Sequence, residues 1–280
     1  TNALGLLVPD VGNGYIGEIV LVIDAVSGEA SFDVMLYTTH RKATKEVNYV
    51  SNLIHGRVDG LILVLPRNPI DYVELLSSQN FPFVLIDHQG TGENCPAIGS
   101  TNWQGAYYAT NYLIQLGHRR IGFITGWLDL GCAIDRLEGY KAALKNNKIP
   151  LNNDLIFEAT FAQLDGYEGT KKFLDLKKPP TAIFASNDVM AIAAMDAVRE
   201  RGLRIPEDIS IIGFDDVPQA SLVRPSLTTV RQPLEQMGRT AAQILLDILR
   251  NPNHSHQRIE LPTELIIRDS TAKPKDKKGD

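Results

Sequence analysis

The 280-residue sequence is 44% hydrophobic and 22% charged, with a net charge of −5 at pH 7. That is enough apolar material for a large core or for two lobes, and the acidic balance argues against a polyanion as the partner of these residues. Two cysteines, Cys95 and Cys132, stand at no metal-ligand spacing and suit a reducing compartment, and no apolar run reaches the roughly 18 residues of a membrane span.

The chain starts at Thr1 with no initiator Met and no signal peptide ahead of its first apolar run, so a segment is expected to be missing upstream. Residues 3–9 (ALGLLVP) have strand length. Over 15–26, Ile16, Ile19, Ile23 and Val26 fall at helical spacing. Strands are expected at 32–38, 60–65 and 83–87, with helices at 44–55 and 70–78 between them. A helix over 102–117 stops at Gly117.

A second series then follows. Strands are predicted at 120–126, 154–159 (weak), 181–186 and 209–215, and helices at 134–147, 165–176 and 187–201. LTTVRQP leads to a helix at 234–250 and two short strands near Pro262. The Lys-rich end, STAKPKDKKGD, has no periodicity and reads as a loose tail.

Strands apolar on both faces, alternating with helices, predict parallel sheets covered on both sides. Two such series predict an α/β protein of two doubly wound parallel-sheet lobes. Ligands of such sheets bind beyond the carboxyl ends of the strands. The residues there are Pro9-Asp10, Asp87-His88, Trp127 to Arg136, Phe161, Asn187-Asp188 and Asp215-Asp216.

GNGYIG (12–17) matches the dinucleotide-binding G-x-G-x-x-G, after a strand and opening a helix. Two features speak against a nicotinamide cofactor. Pro9, Asp10 and Val11 separate the first Gly from the strand, and the second strand ends on Thr38, Thr39 and His40 instead of on an acid for the ribose hydroxyls. There is no G-x-S-x-G, Walker or H-E-x-x-H motif. His254 and His256 fall in a polar turn and read as solvated loop. No cofactor, metal or catalytic residue is expected.

Four segments together resemble one family: VDGLIL (58–63), LGHRRIGFITG (116–126), PTAIFASNDVMAIAAMDAVRERGLRIPEDISIIGFDD (180–216) and RPSLTTVRQP (224–233). They look like the effector-binding core of the lactose repressor and galactose repressor family of bacterial transcription regulators. That core is itself similar to periplasmic sugar-binding proteins. The likeness runs from about Ala3 to Arg268, but the helix-turn-helix and hinge helix with which the family begins have no counterpart in these residues. The resemblance implies a cytoplasmic homodimeric regulator, a repressor first of all, whose operator DNA is held by the missing N-terminal domain. It also implies lobes of 1–100 with 231–260 and of 101–230 with 261–270, joined by crossover strands near 100, 231 and 262, with 271–280 left as a disordered tail. The regulator's small-molecule effector, a sugar before other polar molecules, would lie in a cleft between the lobes. A free-standing periplasmic sugar-binding protein of a transporter is the alternative.

The positions that the resemblance assigns to the effector are Tyr15, Asp87, Arg136, Phe161, Asn187 and Asp215, with His88 beside them. Asp87 and Asp215 end strands of different lobes, and a carboxylate suits a vicinal diol; the plainer alternative is a loop or cap carboxylate. Asp216 reads as structural, bonding the following turn. Arg136 stands early in its helix, where the dipole disfavours a cation, so a partner is expected: a ligand oxygen or a salt bridge to an acid. Asn187 serves equally as an N-cap. Tyr15 and Phe161 would give flat walls to a sugar face, although a buried aromatic is more often plain core.

Overall fold

The computed structural model describes residues 1–67, 69–88, 95–251 and 258–275. The strands are β1 (Ala3–Val8), β2 (Asp33–Thr38), β3 (Gly60–Val64), β4 (Phe83–Ile86), β5 (Ala97–Ser100), β6 (Ile121–Ile124), β7 (Ile156–Phe157), β8 (Ala182–Ala185), β9 (Ser210–Asp215), β10 (Thr228–Arg231), β11 (Ile259–Leu261) and β12 (Glu264–Ile266). The helices are α1 (Gly14–Glu29), α2 (Ala43–Leu53), α3 (Ile70–Ser78), α4 (Asn102–Leu116), α5 (Gly131–Asn146), α6 (Gln163–Leu174), α7 (Asp188–Glu200), α8 (Pro218–Leu222) and α9 (Leu234–Arg250).

The chain divides into two units, one formed by Thr1–Ser100 with Pro233–Pro262 and the other by Thr101–Gln232 with the segment from Thr263 onward. In the first, six strands run in the order β11-β5-β4-β3-β1-β2, and every described pairing is parallel. Leu4, Leu6, Leu61, Ile62, Val84 and Leu85 are buried because helices cover both faces. On one face α9 lies close enough to β3 that a Cβ on Gly60 would sit 2.8 Å from Leu245. The other holds a cluster around Val50, Leu53, Tyr72 and Leu76.

The second unit has the order β12-β10-β9-β8-β6-β7, parallel except that β12 runs antiparallel to β10. One face of its sheet packs on α4 and α5 through Ala106, Leu113, Tyr140, Phe184 and Phe214. The other packs on α6 and α7 through Phe173, Ile183, Met190, Ala194 and Ile211.

Several local expectations differ from the structure. α8 was not predicted, because it is one turn started by Pro218, and the strand expected near 100 is the four-residue β5. β2 is not apolar-buried on both faces; it is an edge strand, and Met35 and Leu36 are 43% and 42% exposed. α5 starts at Gly131, earlier than predicted, which puts Arg136 in its second turn.

The expected loose tail is fastened as far as Lys275. Ser270 is buried, its hydroxyl donating to the Ile211 carbonyl (2.6 Å) and accepting from the Thr228 amide (2.8 Å). The Ala272 carbonyl accepts from Ser210 Oγ (3.1 Å) and lies 2.9 Å from His118 Nε2, while His118 Nδ1 lies 2.8 Å from Thr181 Oγ1. The polar composition is therefore used as hydrogen-bonding groups along the sheet edge, a pattern with no hydrophobic period to betray it. Residues 276–280, and the turn carrying His254 and His256, lie outside the described residues.

The α4–α5 contact depends on Gly139, where an added Cβ would sit 2.3 Å from the Trp103 carbonyl oxygen and 3.0 Å from the Ala106 Cβ. Alanine gains up to about 1 kcal/mol of helix propensity, but forcing the helices apart costs about 1–3 kcal/mol. Gly139→Ala is therefore expected to lower the urea midpoint, and an unchanged midpoint would mean that the two helices part without cost.

Candidate functional site

In the first unit β4 delivers Asp87 to the carboxyl edge of the sheet. The Asp87 amide donates to the Ile98 carbonyl at 2.8 Å, and its φ of 54° is in the left-handed region that a side-chain-bearing residue rarely occupies. The Asp87 carboxylate is buried, at 5% exposure, and accepts from the Tyr15 hydroxyl at the start of α1. Gly99, on neighbouring β5, faces it: a Cβ there would be 3.8 Å from Asp87 Oδ1, an ordinary contact distance. Tyr15 therefore does more than the flat wall expected of it, because its phenol orients the carboxylate. Burial, and then the positive charge of Arg258, hold His88 below the ordinary histidine pKa, so its imidazole is neutral at pH 7.

GNGYIG is organised by Asp10, whose Oδ1 accepts from the Gly12 amide and from Asn13 Nδ2, both at 3.1 Å. Asn13 caps α1 by accepting from the Ile16 amide at 3.0 Å. The glycine pattern thus belongs to an Asx turn and a helix cap. At the same edge Glu46, which the sequence did not single out, is buried and accepts from the Tyr72 hydroxyl and the Arg67 amide, both at 3.2 Å. Burial and the Glu46 charge push the Tyr72 phenol well above its usual range.

In the second unit four predicted residues form one cluster. Arg136 is 3% exposed; its Nε donates to Asn102 Oδ1 (2.8 Å) and its Nη1 to the Ser186 carbonyl (2.5 Å). Nη1 lies 3.7 Å from Asp215 Oδ1, and the guanidinium sits 3.8 Å above the Phe214 ring and 5.7 Å from that of Phe161. Phe161, at φ 63°, rests its ring where a Cβ on Gly126 would come within 2.0 Å. The Phe161 carbonyl accepts from Asn187 Nδ2 (3.1 Å), and Asn187 caps α7 through the Met190 amide (2.8 Å). The salt-bridge partner expected for Arg136 and the N-cap expected for Asn187 are both present.

Asp215 ends β9 with φ 117° and is followed by Asp216 at φ 59°. Its Oδ1 accepts from Gln232 Nε2 at 2.7 Å. Asp216 is structural, but by ion pairs with Arg231 (2.7 Å) and Arg268 (2.6 Å) and not by bonding its own turn. Asn102, Asp188 and Gln232 complete the cluster, and sequence reasoning did not assign them to it. Their signal was weak: Asp188 directly follows Asn187, and Gln232 closes the RPSLTTVRQP segment.

Asp188 is fully buried, with Oδ1 accepting from Thr229 Oγ1 (2.5 Å) and Oδ2 from the Val217 amide (2.9 Å). Burial first, and then the Asp215 charge, raise its pKa well above the usual carboxylate value. A carboxyl group whose folded pKa is raised binds its proton more tightly in the native state. Its contribution is therefore complete below the unfolded value and is lost as pH rises above it. Asp188→Asn, which keeps an acceptor and cannot ionise, is expected to flatten the decline in stability as pH rises from 4 through neutrality. Denaturant titrations of both proteins at several pH values measure this, and parallel curves would mean that Asp188 is ionised without penalty.

Among the described residues there is no group of three or more metal-ligating side chains and no helix long and apolar enough to cross a membrane. Residues 110–271 match the periplasmic binding protein-like domain family. The chain is 36% identical to the HTH-type transcriptional repressor PurR of Haemophilus influenzae, over 96% of this chain and 81% of the relative. It is 35% identical to the ribose operon repressor of the same species, with the same coverage. A LacI family transcriptional regulator from Enterococcus faecium, solved with bound ribose, superposes with a TM-score of 0.89 at 30% identity, covering 98% of this chain and all of that one.

Proposed function

The chain belongs to the lactose repressor/galactose repressor family of transcription regulators, and from that premise we propose that its seven candidate residues bind a small polar effector, a sugar first of all. The observation that carries this is the backbone at the carboxyl edges. Asp87, Phe161 and Asp215, three of the seven, all sit at positive φ. Such conformations cost roughly 1–3 kcal/mol each and cluster where a side chain must be aimed at a ligand.

The chemistry of each edge suits hydroxyl donors. Asp87 is oriented by Tyr15 and Asp215 by Gln232, so each carboxylate reaches a ligand already aligned. Arg136 is engaged by Asn102, Ser186 and Asp215, so it steadies the carboxylate and leaves a neutral polyol better served than a phosphorylated sugar. Ribose in the Enterococcus faecium regulator and in the name of the Haemophilus influenzae repressor supports a sugar. Both relatives are regulators, which favours regulation over a transporter's binding protein.

The effector shifts a conformational equilibrium by its differential affinity for two forms, in a protein that acts in the cytoplasm and is not an enzyme. Operator DNA is held by a helix-turn-helix of the full-length protein, not by these residues. A two-fold homodimer matches the symmetry of operator half-sites, and sedimentation at micromolar concentration is expected to show one; a monomer would remove it.

The effector is tested by thermal shift against ribose, other sugars, sugar phosphates, nucleosides and purines. A ligand at a hundredfold its Kd stabilises by about 2.7 kcal/mol. Ribose or a related sugar is expected to raise the melting temperature, with the rise abolished in Asp215→Ala and in Asp87→Ala. A shift that survives both substitutions would place the site elsewhere.

A further inference from the structure

α5 is closed by a left-handed residue. The Lys148 amide donates to the Lys145 carbonyl at 3.0 Å, the Ile149 amide donates to the Leu144 carbonyl at 2.9 Å, and Lys148 itself has φ 56°. This pair of bonds is a Schellman motif, which turns the chain back along the end of its helix and commonly sets an apolar residue after the turn against one before it. Here those residues are Ile149 and Leu144. Together with Pro150 and Leu151 they line a recess of about 470 Å³, rimmed by Lys141, Lys145 and Lys148. Leu144 is buried, whereas Leu151 is 47% exposed.

The three lysines fall at i, i+4 and i+7, so the helix presents them on one side. Lys141 donates to Glu138 at 2.8 Å. Lys145 and Lys148 are exposed and form no ion pair among the described residues. A chain of net charge −5 thus gathers cations around an aliphatic recess. The helix dipole accounts for a cation in the last turn. It does not account for a lysine at the left-handed position, which glycine or asparagine occupies with less strain.

The nature of the occupant follows from this chemistry. The recess is open along its lysine rim, so it does not enclose a small molecule as a ligand pocket does. Its floor is aliphatic and offers no ring on which a nucleic-acid base could stack. A bilayer surface has nothing that projects into a hollow between a helix end and the loop behind it. A peptide segment has both an apolar side chain to fill the recess and carboxylates to meet the rim.

We propose that the recess docks a short acidic segment of a partner protein. An aliphatic side chain of that segment sits against Leu144, Ile149 and Leu151, and Asp or Glu on either side of it faces Lys145 and Lys148. All of the lining belongs to the second unit, and none of it is among the seven candidate effector residues. The docking surface therefore stands apart from the effector reading.

The probe is a fluorescein-labelled peptide of glutamates around a central Leu-Leu, followed by fluorescence polarisation against the whole chain, with an all-glutamate peptide of equal length as control. The Glu/Leu peptide is expected to bind, and Lys145→Glu/Lys148→Glu to weaken it about tenfold, because like charges then face each other. Leu151→Ser is expected to weaken the Glu/Leu peptide and to leave the all-glutamate peptide unchanged. No binding, equal binding of the two peptides, or no loss in either variant overturns the proposal.

Lys148→Gly separates docking from a role in the helix end. Glycine relieves the left-handed strain, so this variant is expected to raise the urea midpoint while weakening the peptide. A lower midpoint with unchanged peptide binding overturns the proposal, since Lys148 would then serve the helix end alone. Sedimentation and flotation with phosphatidylserine vesicles cover the other occupants. The charge-reversed variant is expected to keep the oligomeric state of the wild type, and neither protein is expected to float. A loss of self-association in the variant would assign the recess to a second copy, and flotation of the wild type alone would assign it to a membrane; either overturns the proposal.

Discussion

Two carboxylates, Asp188 and Asp215, are buried in one cluster with a single guanidinium, that of Arg136, lying 3.7 Å from Asp215. Like charges in a poorly hydrated site cannot both be kept at no cost. The cluster resolves this by dividing the roles. Asp215 takes the cation and the Gln232 amide, and Asp188 is pushed towards its protonated form while it accepts from Thr229 and Val217. The nearby Asp216 has two arginines of its own. The turn after β9, the start of α7 and the course of β10 all follow from this allocation of charge. Gly213 fits it as well, because a Cβ there would lie 2.2 Å from Asp188 Oδ1.

Most of the fold was legible because its elements repeat a physical period. The helices at 102–117 and 234–250 carry apolar faces at helical spacing, and the strands at 60–65 and 209–215 are short apolar runs closed by turns. The parts that were not legible have no such period. α8 is a single turn, and the Ser270–Ala272 segment contributes hydroxyl and carbonyl groups instead of apolar side chains. β2 misled because it is apolar in sequence yet forms an edge, and sheet order cannot be read from composition.

The site divides along the same line. Residues just beyond strand ends could be picked out from topology alone, and Asp87, Phe161 and Asp215 do stand there in left-handed backbone. Their roles beyond that depended on partners distant in sequence. Tyr15 meets Asp87 across 72 positions, Arg136 meets Ser186 across 50, and Asp215 meets Gln232 across 17. Spacing within one segment carries no trace of such pairs. The glycine motif at 12–17 shows the converse case, since a local pattern without its partner acid was explained by a turn on Asp10 and a cap on Asn13.

The interleaving of the two units also bears on how the protein is made. The first unit is closed by α9 and β11, and the sheet of the second is completed by β12, all of them late in the sequence. While the chain emerges from the ribosome, residues 1–100 have their central strands but lack α9 against β3, and the outer edge of β5 has no neighbour. An apolar sheet face and an unpaired strand edge are the features that promote association with other chains. Neither unit can finish until residues 233–266 have been synthesised. Long-range closure of this kind slows folding relative to a chain whose domains are contiguous. The nascent protein should therefore depend on chaperones most heavily between completion of β5 and the arrival of α9.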